Sequence, residues 1–320
     1  MLMEENDELR KKVKKLEEEN HRLTEQQGDV YAAVSKDESK FRFFTGLPSV
    51  SAFLLLLRLV VLAGFKKFKS LSVENTLLVI IMKLKMSVTN RDLAYRFNVP
   101  ISYVSTILSS RLTHLAAAGR ELIEWPSKAA TVANMPNCFR ACGGDLMRTR
   151  VIVDCFEIFA ERPKPLTARA QMWSHYKSHS TVKVLIGISP AGAVTFLSDV
   201  WGGRATDKAI TLGSRLLDLV DPYDVILADR GFLVRDEFAV INVKVVTPHF
   251  TKGRQQMTRK EVQESRRISR VRIHVERVIG RVRRNYRILN GVLPLGLVPQ
   301  INNIVVACCG MINLHTSVVP

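Results

Sequence analysis

Five short apolar runs set the tightest limit on how this chain can fold: RVIVDCFEIF (150–159), TVKVLIGIS (181–189), AVTFLSDVW (193–201), DVILADRGF (224–232) and VKVVTPHF (243–250). Each is rich in β-branched residues and ends at turn formers, the signature of a strand. A single helical segment, TDKAITLGSRLLDLV, separates the third from the fourth; Thr206 or Asp207 caps it and Asp221-Pro222 closes it. Tight connections suit an antiparallel meander for the first three strands. The helical crossover returns the fourth strand parallel to the first. The expected fold class is α/β, a mixed sheet flanked by helices over residues 149–315.

Two aspartates stand out against this pattern. Asp154 lies inside the first strand between Val151, Ile152, Val153 and Cys155, where an ionised carboxylate is costly unless paired or bound to a cation. Asp229 ends the fourth strand, just before Arg230 and Gly231. If those strands are neighbours, both carboxylates emerge at one edge of the sheet. Hard cations such as Mg²⁺ take oxygen ligands, so two acids shared between two strands can cradle a metal pair, with a third acid completing the set.

Glu276 is the candidate for that third acid. It sits beside a helical core stripe formed by Ile268, Val271, Val275, Val278 and Val282, among arginines at 272, 277, 281, 283 and 284. The favourable helix partner four residues on would be Gly280. Only Arg272 remains, in the reversed orientation worth a few tenths of a kcal/mol by a rough count. A surface ion pair therefore explains Glu276 less well than a carboxylate turned toward a metal while Arg272, Arg277, Arg281, Arg283 and Arg284 hold DNA phosphates.

Charge supports a polyanionic partner. The formal net charge is +17, and residues 252–287 alone hold thirteen Lys/Arg against three Glu. So dense a tract favours contact with double-stranded DNA, and the same arginine run can serve nuclear import, giving a nuclear localisation. The cluster Trp173, His175, Tyr176, Lys177 and His179 mixes stacking and cationic groups suited to distorted DNA ends, with Lys177 the phosphate contact. His274 reads as a packed or DNA-facing histidine, Glu157 and Glu161 as secondary acids, and Asp207 as a helix cap.

The N-terminal third has its own organisation. Leu2, Leu9, Leu16 and Leu23 recur every seven residues, with Asn6, Val13 and Asn20 at the position four later. Leucine at d with buried asparagine at a is the pattern of a parallel two-stranded leucine zipper, so residues 1–27 are expected to form a coiled coil that makes the protein a homodimer. Residues 28–40 read as a linker, and residues 41–125 as a helical helix-turn-helix region. There Thr89 caps one helix, Asn98 makes the turn, and Ser102, Tyr103 and Thr106 face outward where such helices meet base edges. The apolar run at 50–64 is shorter than the ~20 residues a membrane span needs and contains Arg58, so it reads as a buried helix and no membrane partner is expected. Five cysteines, with no paired CxxC, argue against a disulfide framework or a zinc site.

The motifs IVDCFEIFAERP, WSHYKSHSTVKVLIGIS, WGGRATDKAI, ILADRGF and RIHVERVIGRVRRNYRIL, in this order, resemble the DDE transposase domain of the PIF/Harbinger and IS5-like superfamily, in its ISL2EU-related branch. FRFFTGLPS and residues 71–116 are similar to the helix-turn-helix region that precedes it. The resemblance implies an RNase H-like fold and a DNA endonuclease that cuts element ends with water. It further implies that the released 3′-hydroxyl is joined to target DNA using two Mg²⁺ or Mn²⁺ ions. It puts the three catalytic, metal-holding acids on Asp154, Asp229 and Glu276, and leaves room for an accessory protein encoded by the same element. The alternatives are a domesticated, catalytically silent DNA-binding or regulatory protein, and a nuclease without strand transfer.

Overall fold

The protein is described by a computed structural model covering residue 6 and residues 8–16, 29–249 and 256–319. Two compact units divide it: residues up to 83 with Val88–Arg111, and Leu84–Ser87 with Leu112–Pro320. Residues 8–16 are helical, with Leu9, Val13 and Leu16 exposed. Asn6 is also exposed, while Leu2, Leu23 and Asn20 lie outside the described residues.

Among the described residues, the first unit is built of helices, with one isolated bridge between Phe68 and Leu71. Where a linker was expected, α1 (Val30–Ser35) and α2 (Glu38–Thr45) form instead, each opened by an aspartate, Asp29 and Asp37, whose carboxylate accepts first-turn amide hydrogens. The reason is tertiary. Tyr31 stacks on Phe53 with ring centroids 5.0 Å apart, Phe41 is fully buried, and Asn75 ties both the Tyr31 amide and the Asp29 carboxylate. Helix α3 (Val50–Leu62) buries Phe53, Leu56 and Val60 but leaves Leu54, Leu55, Val61 and Leu62 exposed, so the expectation of a buried helix holds for one face only.

Helix α4 (Val73–Met86), with an unbroken buried run from Leu77 to Met82, precedes the helix-turn-helix pair α5 (Asn90–Phe97) and α6 (Ile101–Glu121). Thr89 caps α5 by accepting the Asp92 N–H at 3.1 Å, and Asn98 takes the left-handed conformation (φ 47°, ψ 51°) that reverses the chain, as its short polar side chain allows. Val104, Ile107 and Leu108 are buried. The division between units falls inside α6, at Arg111/Leu112, within the helical region expected over 41–125.

The second unit holds the sheet. Its strands are β1 (Thr149–Phe159), β2 (Trp173–Ser174), β3 (His179–Ile188), β4 (Val194–Leu197), β5 (Trp201–Gly202), β6 (Val225–Leu227) and β7 (Lys244–Val246). They run in the order β2-β3-β1-β6-β7, with β4 and β5 also on β3. β1, β3 and β4 form the antiparallel meander; β6 and β7 lie parallel to β1. The expected crossover helix is broken into α10 (Asp207–Gly213) and α11 (Leu216–Leu219), following α7 (Lys128–Ala133), α8 (Asn137–Arg140) and α9 (Leu166–Met172). The break is packed: a Cβ on Gly213 would sit 2.8 Å from the Trp201 ring.

One face of β1 and β6, carrying Val151, Val153, Ile226 and Ala228, joins Leu216, Phe238 and Val243 in the main core beneath α10, α11 and α12 (Arg235–Ala239). The 27-residue α13 (Arg259–Asn285) covers the other face. Its capping box is complete: Thr258 accepts the Glu261 N–H and Glu261 accepts the Thr258 N–H. Its stripe of Ile268, Val271, Val275, Val278 and Val282 is buried, as the spacing predicts. Helix α14 (Ile301–Ile312) is long and apolar enough, together with the turn before it, to cross a bilayer by length alone, but half of that stretch is buried in the fold. It crosses the end of α6 so closely that a Cβ on Gly310 would meet Gly119 Cα at 2.5 Å.

Candidate active site

Strand alternation decides which acids can meet. On β1, Ile152, Asp154 and Phe156 point to the α13 face, where Arg283 lies over the Phe156 ring at 5.7 Å and donates to the Glu157 carbonyl at 2.5 Å. The parallel register pairs Val151 with Ile226 and Ile152 with Leu227. Continued two residues beyond that last matched pair, the register would set Asp154 level with Asp229; Asp154 feels the charge of Asp229, and Asp229 meets Arg272 of α13. From α13, Glu276 reaches the same edge through Arg272, whose Nη2 donates to Glu276 Oε1 at 2.5 Å and whose Nε lies 3.8 Å from Asp229 Oδ1.

Arg272 is therefore the centre of the cluster. Its side chain is only 13% exposed, and Nε and Nη1 are buried without hydrogen-bond partners. The reversed helix pair that sequence weighs lightly does form, because Arg272 serves Asp229 as well as Glu276. Asp154 accepts the Cys155 N–H at 2.9 Å. Burial pushes its carboxyl up to about 7, against the pull of Arg272, and the charges of Asp229 and Glu276 push the same way as burial.

Among the described residues, no group of three or more His, Cys, Asp and Glu side chains stands arranged to hold a metal ion. The donor chemistry nevertheless fits one. Three carboxylates gather at a partly buried edge, one with a strongly raised pKa, and their compensating charge comes from a guanidinium of which two nitrogens, Nε and Nη1, have no hydrogen-bond partner. A hard divalent cation would neutralise the same oxygens directly.

The remaining candidates separate. Arg283 is partly buried and pinned to the β1 backbone, and Arg281 donates to the Thr316 carbonyl, so neither guanidinium is fully open to phosphate. Arg277 and Arg284 are exposed. His274 is buried, 3.6 Å from the Cys138 sulfur through Nε2 and near Phe139, the packed one of its two expected readings. Thr206, not Asp207, caps α10; Asp207 is its first residue and binds Lys183, which also faces the buried Glu157 at 3.7 Å. Glu161 accepts the Leu295 N–H. Tyr176 and Lys177 sit at an exposed turn, the ammonium 4.6 Å from the ring centroid.

In the helix-turn-helix, Ser102 and Thr106 are exposed. Tyr103 is partly buried against Phe68, with Lys69 over its ring at 4.0 Å. Lys69 is a cation that reading the outward face of α6 alone misses; the basic run at 66–69 was its signal.

Comparison with known families agrees with both regions. Residues 153–313 match the DDE superfamily endonuclease family, and residues 69–120 match the helix-turn-helix of DDE superfamily endonuclease. No curated protein matches the chain.

Proposed function

Because the chain belongs to the DDE superfamily endonucleases and carries their helix-turn-helix, we propose that it is a transposase of the PIF/Harbinger superfamily, ISL2EU-related branch, working on double-stranded DNA in the nucleus. In this reading the catalytic domain is RNase H-like, and it cuts transposon ends and joins the 3′-hydroxyl to target DNA. The observation that carries the reading is the convergence on Arg272 of Glu276 and of Asp229, level with Asp154 on the neighbouring strand.

Asp154, Asp229 and Glu276 would hold two Mg²⁺ or Mn²⁺ ions. When bound, such ions supply activation of the attacking oxygen and neutralise charge at the phosphate. The chain's own part is positional. The strands set the spacing of Asp154 and Asp229, and α13 brings Glu276 over them. Arg277 and Arg284 face solvent where phosphates approach, and Ser102, Thr106 and Lys69 offer a duplex contact of the helix-turn-helix. Arg272 balances the carboxylates until cations do so. The N-terminal heptads would pair two copies, as cutting two element ends requires, and an accessory protein of the same element would complete end recognition.

The test is cleavage of supercoiled plasmid with Mg²⁺ or Mn²⁺ beside an Asp154→Ala variant. Metal-dependent nicking or cutting by the wild type alone is expected, with strand transfer assayed next on pre-cut ends. Cleavage without joining would favour a nuclease lacking strand transfer. One observation favours the other reading, a catalytically silent DNA-binding protein: Arg272 already supplies a counter-charge to Asp229 and Glu276. DNA binding without cleavage in either protein would turn the assignment that way.

A further inference from the structure

The register that levels Asp154 with Asp229 depends on one extra residue. At the start of the parallel pair Thr149 is matched to Val225, yet the next matched pair is Val151 with Ile226. Arg150 is thus a bulge in β1 with no counterpart on β6. Without it, the count from Thr149 and Val225 would bring Val153 level with Asp229. Asp154 would fall one residue out of step, its side chain on the opposite face from that of the residue level with Asp229. The bulge is what allows Asp154 and Asp229 to share the α13 face while Val151, Val153, Ile226 and Ala228 share the core face.

Arg150 is held from several sides. Its side chain is 5% exposed, and Nη1 donates to Thr131 Oγ1 at 2.9 Å. Nε lies 3.4 Å from Asp224 Oδ2, and the guanidinium sits 5.1 Å from the Trp125 ring centroid. Asp224, equally buried, immediately precedes β6, accepts the Asp221 N–H at 2.9 Å and meets Lys128 at 3.2 Å. The clamp therefore grips the first residues of both strands that carry the acids.

We infer that Arg150, clamped by Asp224, Thr131 and Trp125, is a positioning residue that fixes the β1–β6 register and so holds Asp154 level with Asp229. Resting on the metal-nuclease reading for its functional consequence, the inference has a structural consequence independent of it. Charge removal on one side alone leaves a buried ion unpaired and endangers folding, whereas replacing both partners by apolar residues of similar size preserves stability in many proteins.

The experiment uses full-length Arg150→Met/Asp224→Leu protein, with Ile304→Ala as a folded control that perturbs a buried residue of α14. Register is read first, by methyl contacts in Ile/Leu/Val-labelled protein. The Ile152–Leu227 contact of the wild type is expected to be lost or replaced in the double variant and kept in the control. Mn²⁺ affinity and plasmid cleavage are read second. At least a roughly tenfold loss of affinity and of kcat is expected, with KM for DNA little changed, since the helix-turn-helix contacts are untouched. An unchanged Ile152–Leu227 contact in the folded double variant overturns the inference. If the wild type neither binds Mn²⁺ nor cleaves, the metal-nuclease reading fails while the methyl contacts still decide the role of Arg150.

Discussion

At the scale of residues, Asp154 shows how a fold sets a proton affinity. Its carboxyl titrates near 7 in the native protein against 3.8 for the unperturbed group, mainly through burial. A carboxyl whose folded pKa is raised gives stability fully present below the unfolded pKa and lost as pH rises through the folded one. The window is therefore about pH 4 to 7, and the loss on the order of 4 kcal/mol at most. Urea unfolding at pH 4.5 and pH 8 should show Asp154→Asn gaining on the wild type as pH rises; a constant difference would rule out a native-state carboxyl so perturbed. Mg²⁺ should narrow the gap at pH 8 if the acids bind it. Arg272→Gln should weaken the fold most at high pH, where three carboxylates lose their shared counter-charge, and thermal melts across the same range check it. Sequence singled out Asp154, Asp229 and Glu276 as candidates from strand pattern and spacing, but it undervalued Arg272. A helix pair judged alone is worth little; its second partner, Asp229, is 43 positions away in the chain.

At the scale of elements, local signals were legible wherever the chain satisfies itself. The Thr258 and Glu261 capping box opens α13, and Thr258→Ala should cost about 1 kcal/mol, measurable by denaturant titration. The turn at Asn98 needs positive φ, so Asn98→Gly should be tolerated, while Asn98→Val should destabilise the first unit by about 1 to 2 kcal/mol. Hydrogen exchange of the α5 and α6 amides would show the difference. The signals failed where packing overrides propensity. Residues 30–45 became helices because Phe41 and Tyr31 find Phe53, and the crossover helix broke because Gly213 must pass the Trp201 ring.

At the scale of the molecule, charge governs partners. With a net +17, DNA binding should weaken steeply with salt, by roughly a thousandfold or more between 50 and 200 mM if six or more phosphates are engaged. Fluorescence anisotropy with a duplex checks this. Lys69→Ala should lower the salt slope by about one and Asp154→Asn should leave it unchanged. By itself the sequence determined the antiparallel meander with its parallel return strand, the helix-turn-helix and the net positive charge, and it singled out three acids as candidates, because each is written in periodicity, capping residues or charge over short spans. Only the tertiary structure decided the rest: that Arg272 joins the acids, that Arg281 and Arg283 each donate to a backbone carbonyl, and that the β1–β6 register shifts at Arg150. These depend on which distant segments meet and in what register, and side chains separated by tens of residues carry no local pattern from which that meeting can be read.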